Sequence, residues 1–231
     1  MNILAIDTAS RTCSVAVSRD ADILAEITDG VGETHSRHLM DMVDRALALS
    51  VGSLEAIQAL AVNRGPGSFT GVRIGISTAK GLAAAAGIPL VGVSSLAALA
   101  WQAAPTTRVV CAMLDARRQE VYWQRYRFDA DQLVALTPEA VSAAEDAVHG
   151  LDRPCVLIGD GALTYRSRLR ECLGAGFNIA PVFQHAIRAG VIAFMARERL
   201  AQSGDDLATL VPAYIRPSYA QEPVDKPGLN R

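Results

Sequence analysis

The chain has 231 residues, half of them hydrophobic and a fifth charged. That length makes one large domain or two small ones with room for a core, and that composition excludes a disordered chain. The 22 basic and 24 acidic residues nearly cancel, to a formal charge of −2. Split at residue 104, the halves carry 7 basic against 9 acidic residues and 15 against 15, so neither advertises the basic face of a free-standing nucleic-acid binder.

Residues 2–7, an apolar run ending in Asp-Thr-Ala-Ser, predict a strand and turn. Residues 12–18 and 23–28 predict two more, with a turn signal at 20–22; connections this short make the three antiparallel neighbours. Thr34 is placed to cap a helix running to about Leu49, with Leu39, Val43, Ala46 and Leu47 on one stripe. Residues 57–63 read as a buried strand. The glycine-rich loop 64–70 leads into a second helix ending near Ala86, followed by a strand at 89–93 and a helix at 94–103. From Arg108 the order restarts, with strands at 109–114, 120–128 and 133–136. A helix at 138–148, a strand at 155–159 and helices at 165–173 and 186–202 complete it. Beyond Pro212 the tail, with Pro217, Pro223 and Pro227, reads as an extended, partly loose end.

The order βββαβαβα, given twice with a reduced second copy, is the layout of the actin-like (ASKHA) superfold. The expected architecture is therefore α/β with two lobes, residues 1–104 and 105–231, the last helix and tail packing back on the first lobe. In that superfold, the turn after the first strand of each lobe points an acidic residue at nucleotide phosphates or metal. Asp7 and Asp115 hold those places and are the candidate cofactor-binding residues.

Four cysteines, Cys13, Cys111, Cys155 and Cys172, are too dispersed for a zinc site and read as reduced thiols. The start MNILAID lacks the basic and apolar regions of a signal peptide. The long apolar stretch 71–100 is broken by Arg73, Lys80 and Pro89, so no membrane span and a cytoplasmic location are expected. His35 and His38 could share a helix face beside Glu33 or Asp41, but polar residues are ordinary in a first turn, and no metal site is expected. There is no G-x-S-x-G nucleophile motif, and no catalytic residue is assigned.

The strongest local signal is Gly65-Pro-Gly-Ser-Phe-Thr-Gly-Val-Arg-Ile-Gly75. A glycine loop at a helix N-terminus can bind anions, yet Gly71-Val-Arg73 stands where a Walker A loop needs Gly-Lys-Ser/Thr. Packing is the favoured reading. Gly71, Gly75 and Ala79 recur every fourth residue, Thr78 and Leu82 continue the neighbouring face, and Val72, Ile76 and Ala83 make the other face apolar too. One side should meet the sheet and the other a helix or a partner protein. The partner surface expected is Gly71, Gly75, Thr78, Ala79 and Leu82, beside Leu39, Met42, Val43 and Ala46 of the first helix. Which face meets the sheet stays open. Arg117, Arg118, Arg125 and Arg127, interleaved with Tyr122, Trp123 and Tyr126, form the densest basic and aromatic run. An exposed strand with an aromatic inner face is favoured over nucleic-acid contact. Arg166, Arg168 and Arg170 form a second basic run, on a predicted helix.

Together with residues 3–10, the Thr34-His-Ser-Arg-His-Leu39 helix start, residues 87–96 and Pro212-Ala-Tyr-Ile-Arg216, the glycine block resembles the TsaB (YeaZ) family. The resemblance runs end to end and is densest over residues 1–100. It implies a part in making N6-threonylcarbamoyladenosine at position 37 of tRNAs. In that pathway a separate enzyme makes threonylcarbamoyl-AMP, and the paralogue TsaD transfers the group. TsaB is the partner subunit of TsaD, and the ATPase TsaE joins them. The resemblance also implies a homodimer in the absence of TsaD, and contact with tRNA only through the complex. The metal-binding His-x-x-x-His pair of TsaD falls here on Ser95 and Leu99, which cannot replace imidazoles. A non-catalytic scaffold is therefore expected. It needs no cofactor of its own, ATP or ADP entering at the level of the complex. The alternatives are an ATP-dependent small-molecule kinase or ATPase of the superfold, and a metallopeptidase.

Overall fold

A computed structural model describes residues 1–30, 35–151, 154–202 and 204–216. The predicted cap Thr34 and the prolines from Pro217 onward lie outside the described residues, as does the side chain of His35.

The first sheet has the order β3-β2-β1-β4-β5. β1 (Asn2–Asp7), β2 (Cys13–Arg19) and β3 (Asp22–Asp29) form an antiparallel meander. β4 (Ala59–Asn63) and β5 (Leu90–Val93) add parallel to β1, each reached through a helix. The continuous apolar run of β1 follows from burial on both faces. Ile3 and Ala5 point to one core, Leu4 and Ile6 to the other.

On the Leu4 and Ile6 face lie α1 (His35–Ala48) and α2 (Phe69–Ala86). On the opposite face lie α3 (Ser95–Gln102) and α6 (Ala189–Gln202). The last helix thus belongs to the packing of the first sheet. Glu26 of β3 holds its start: Oε1 accepts from Gly190 N at 2.8 Å and Oε2 pairs with Arg188, while Ser14 Oγ accepts from Ala189 N at 3.1 Å.

β6 (Val109–Asp115) carries β10 (Cys155–Ile158) parallel on one edge and β7 (Glu120–Asp129) antiparallel on the other. Beyond β7 lie β8 (Gln132–Ala135) and β9 (Ala140–Ala143). This second sheet packs Val110, Ala112, Leu114 and Tyr126 into the core around α3, which in turn touches α6, so one core joins the lobes. Its outer face is covered by α4 (Asp160–Thr164) and α5 (Arg166–Leu173).

The helix expected over 138–148 is instead strand β9 and one short 3₁₀ turn, Asp146–Val148. β7 is long, and β8 pairs only its far half; the near half, Glu120–Trp123, takes β9 as its partner. Pairing an open edge outweighed local helix propensity. The predicted helix at 165–173 is α5 alone, preceded by the separate turn of helix α4.

Candidate functional site

The two lobes enclose a cleft of about 680 Å³. From the first lobe it is lined by the β1–β2 turn (Ser10, Arg11) and the start of α2 (Gly67 to Thr70). From the second come Asp115, Arg117, Tyr122 and Asp160, and the tail adds Arg216.

Asp7 does not reach this cleft. Its side chain is wholly buried, behind Ala9. Oδ1 accepts from Asn63 Nδ2 at 2.6 Å and from Ala9 N at 3.1 Å, while Oδ2 is buried without a hydrogen bond. Burial pushes its pKa up to about 7, against the pull of those two donors. Asn63 is the hub that the sequence reading missed. Its Oδ1 accepts from Ser95 Oγ at 2.6 Å and from Gly65 N at 2.8 Å, which fixes which way the amide points. The signal for it was a polar residue closing the apolar run of β4, directly before the glycine loop. As a phosphate- or metal-facing residue Asp7 is thus a correction. The loop after β1 turns the backbone of Ala9 outward and leaves the carboxylate to tie β1 to β4.

Asp115 does line the cleft. Its Oδ1 accepts from Arg117 N at 2.9 Å and from the Tyr165 hydroxyl at 3.4 Å, and Arg117 lies 3.5 Å from Oδ2. Asp160 Oδ1 accepts from Asp115 N at 2.9 Å, and burial raises the Asp160 pKa. Among the described residues no three His, Cys, Asp or Glu side chains gather as a metal site. Ser95 is committed to Asn63, and Leu99 is fully buried beside Gly159.

The glycine block serves close backbone approach. A Cβ on Gly67 would stand 2.2 Å from Ala9 O, one on Gly71 2.0 Å from Thr8 O, and one on Gly75 2.3 Å from Thr8 Oγ1. Ser68 N donates to Ala9 O at 2.7 Å, Thr8 Oγ1 donates to Gly71 O at 2.7 Å, and Ser68 caps α2 by accepting from Gly71 N. The small-residue stripe therefore meets the end of β1 and not a second helix.

This corrects most of the expected partner surface. Gly71, Gly75 and Ala79 are buried against the sheet, and so are Leu39, Met42, Val43 and Ala46 of α1. Thr78 and Leu82 are half-buried, on the shoulder of α2. Its outward face is Arg73, Ser77, Gly81 and Ala84, next to Met40, Asp41, Asp44 and Arg45 of α1. The sheet claimed the stripe because only glycine lets a helix lie that close to Thr8.

The tail is anchored over residues 210–216. Leu210 is buried, and Ala213 N donates to Arg64 O at 2.8 Å. The Tyr214 hydroxyl accepts from Arg73 Nε at 2.9 Å, and the Arg73 guanidinium lies 3.7 Å over the Phe69 ring. On β7 the faces alternate as expected, but Arg125 is spent on structure: it donates to the carbonyls of Ala147 at 2.9 Å and His149 at 2.7 Å.

A sequence-family model described as "TsaD: tRNA N6-adenosine threonylcarbamoyltransferase" matches residues 23–220. The chain is 42% identical over 171 residues to the tRNA threonylcarbamoyladenosine biosynthesis protein TsaB of Escherichia coli K12, covering 70% of this chain and 72% of that protein. The solved structure of YeaZ from Pseudomonas aeruginosa superposes with a TM-score of 0.78 at 30% identity, over 92% of this chain and 99% of that one. At the level of fold alone, component A of (R)-2-hydroxyglutaryl-CoA dehydratase from Acidaminococcus fermentans superposes with a TM-score of 0.54 at 14% identity, over 87% of this chain and 100% of that one.

Proposed function

Because the chain belongs to the TsaB (YeaZ) family, whose members are named for tRNA threonylcarbamoyladenosine biosynthesis, we propose that it serves that pathway as a non-catalytic subunit holding a TsaD-type catalytic subunit. The observation that carries this reading is the closed floor of the cleft. Asp7, the acidic group an actin-like phosphotransferase would present, is fully buried, held by Asn63 and Ala9, and does not line the cleft. The acidic groups that line the cleft are Asp115, itself engaged by Arg117 and Tyr165, and Asp160, which accepts from Asp115 N.

The docking surface in this reading is the outward face of α2, with Ser77, Gly81 and Ala84 flanked by Thr78 and Leu82, together with the exposed side of α1. Small side chains there permit close helix approach. The same face takes a second copy of this chain when TsaD is absent, TsaE joins at the level of the complex, and any ATP or ADP acts there. The chain works in the cytoplasm; among the described residues no helix is long and apolar enough to cross a membrane.

Reconstitution tests the proposal. TsaD and the threonylcarbamoyl-AMP synthase are assayed for tRNA modification with and without this chain. Modification should depend on the chain and survive Asp7→Asn and Asp115→Asn. ATP turnover by the chain alone that Asp7→Asn abolishes would establish a phosphotransferase instead.

A further inference from the structure

Two arginine runs lie apart from the α1 and α2 faces assigned to protein docking. α5 exposes Arg166, Arg168 and Arg170, and among its described residues only Leu169 is buried. The β6–β7 turn exposes Arg117, Arg118 and Gln119, three consecutive non-glycine residues in the left-handed region with φ of 62°, 53° and 65°. Each such residue costs roughly 1 kcal/mol, so this turn is held in shape against its local preference. Helix and turn are one surface. Arg168 donates to Gln119 Oε1 at 3.2 Å and lies 5.8 Å over the Tyr165 ring, and the Tyr165 hydroxyl reaches Asp115.

The acidic neighbours are Asp115, Glu145, Asp146, Glu171 and the half-buried Asp160, whose Oδ1 accepts from Asp115 N, so the surface is marked by the exposure of its arginines and not by net charge. Arg117 pairs with Asp115 at 3.5 Å and Arg168 with Glu145 at 3.7 Å. Ion pairs that long, on arginines that are 77% and 48% exposed, are readily displaced. Arg166 and Arg170 form no ion pair among the described residues; Arg170 lies 5.1 Å over the Phe177 ring. Every cation here is arginine, whose planar fork matches phosphate oxygens and stacks on ring faces. α5 exposes no large apolar side chain, which a protein interface would need at its centre.

We infer that α5 and the β6–β7 turn form an RNA-backbone contact surface, with Arg117, Arg118, Arg166, Arg168 and Arg170 holding phosphates of the tRNA on which the complex acts. This rests on the proposed function for the identity of the RNA but not for the surface itself. Most phosphate contacts in protein–nucleic-acid complexes position rather than specify, and that is the role assigned here. The surface lies beside the cleft mouth, since Arg117 and Asp115 line the cleft, and α2 begins on the opposite wall.

The test is a titration of a fluorescent, unmodified tRNA transcript bearing adenosine at position 37, against the assembled complex of this chain with TsaD, over a salt series. The variants are Arg166→Gln/Arg170→Gln and Arg117→Gln/Arg118→Gln, with Arg127→Gln, on the far end of β7, as control. Each double variant should weaken binding about tenfold at 0.1 M salt. It should also lower the slope of log affinity against log salt by about 1.4, since each lost single-strand contact removes about 0.7. The control should match wild type. Light scattering on each complex reports assembly separately. Wild-type affinity and slope in both double variants would overturn the inference. So would loss of assembly, which would make the face a protein interface. If the wild-type chain does not assemble with TsaD at all, the scaffold reading fails, and the same titration on the chain alone decides the RNA surface by the same criteria.

Discussion

Arg216 reaches across the cleft to Glu120: a guanidinium nitrogen lies 2.5 Å from Glu120 Oε2, joining residues 96 positions apart. Arg216 follows a segment strapped to the first lobe through Ala213 and Tyr214, whereas Glu120 opens β7 in the second lobe. Both side chains are largely covered, and Arg216 Nε is buried without a hydrogen bond. Glu120→Gln should therefore destabilise the chain by about 1–2 kcal/mol, because a mostly covered guanidinium loses its counter-charge. Amide exchange at Ala213 should quicken, and the swap Glu120→Arg/Arg216→Glu should restore part of the protection. Unchanged exchange in Glu120→Gln would mean that the strap holds without the ion pair.

Glycine at 75 is required by contact and not by a turn. In Gly75→Ala the new methyl would meet Thr8 Oγ1 at 2.3 Å, and that hydroxyl is already committed to Gly71 O. Overpacking of this kind costs about 1–3 kcal/mol. Denaturant unfolding should show that loss, and Thr8→Ser, which keeps the hydroxyl and removes a methyl, should not match it.

On the outward side of the same helix the expectation reverses. Gly81→Arg and Ala84→Arg put a long side chain into open space; a Cβ at Gly81 meets nothing within 4 Å. Circular dichroism and unfolding should stay near wild type, while association with TsaD, followed by size exclusion with light scattering, should weaken at least tenfold. Undiminished assembly of both variants would place the docking surface elsewhere.

The buried carboxyl of Asp7 makes stability depend on pH. Its pKa is about 7 when folded, against 3.8 for the ordinary group. The folded state thus binds more protons than the unfolded one between those values, and stability falls as pH rises from about 4 to about 7. Asp7→Asn cannot ionise and should lack that slope. Its unfolding free energy relative to wild type should rise across the window by on the order of 2–4 kcal/mol. A difference that stays flat from pH 4 to pH 8 would show that Asp7 titrates alike in both states.

Much of the architecture was legible in the residues. The three short-linked strands, the switch to helix-strand alternation after Thr34 and the restart at Arg108 are local patterns, and they were enough for an actin-like layout. The helix expected at 138–148 failed because β9 exists to pair β7, a demand made by a strand distant in sequence. The glycine block was rightly read as packing, yet its neighbour was not: the spacing of Gly71, Gly75 and Ala79 says that something comes close, and Thr8 is what does.

The sequence by itself determined the family, the fold and the absence of an imidazole pair at Ser95 and Leu99, because these are carried by residue identity and by short-range periodicity. Only the tertiary structure decided which way each face points. A stripe of small residues is equally suited to a sheet, a helix or a partner. The choice fell to the sheet because burying Leu39, Val43, Ile76 and Ala79 against Leu4, Ile6 and Val62 removes a whole apolar layer from water. The same packing sealed Asp7 under Ala9 and joined it to Asn63. It left Arg73, Ser77, Gly81 and Ala84 outward, and brought Arg117, Arg118 and the α5 arginines, nearly fifty residues apart in the chain, onto adjoining elements.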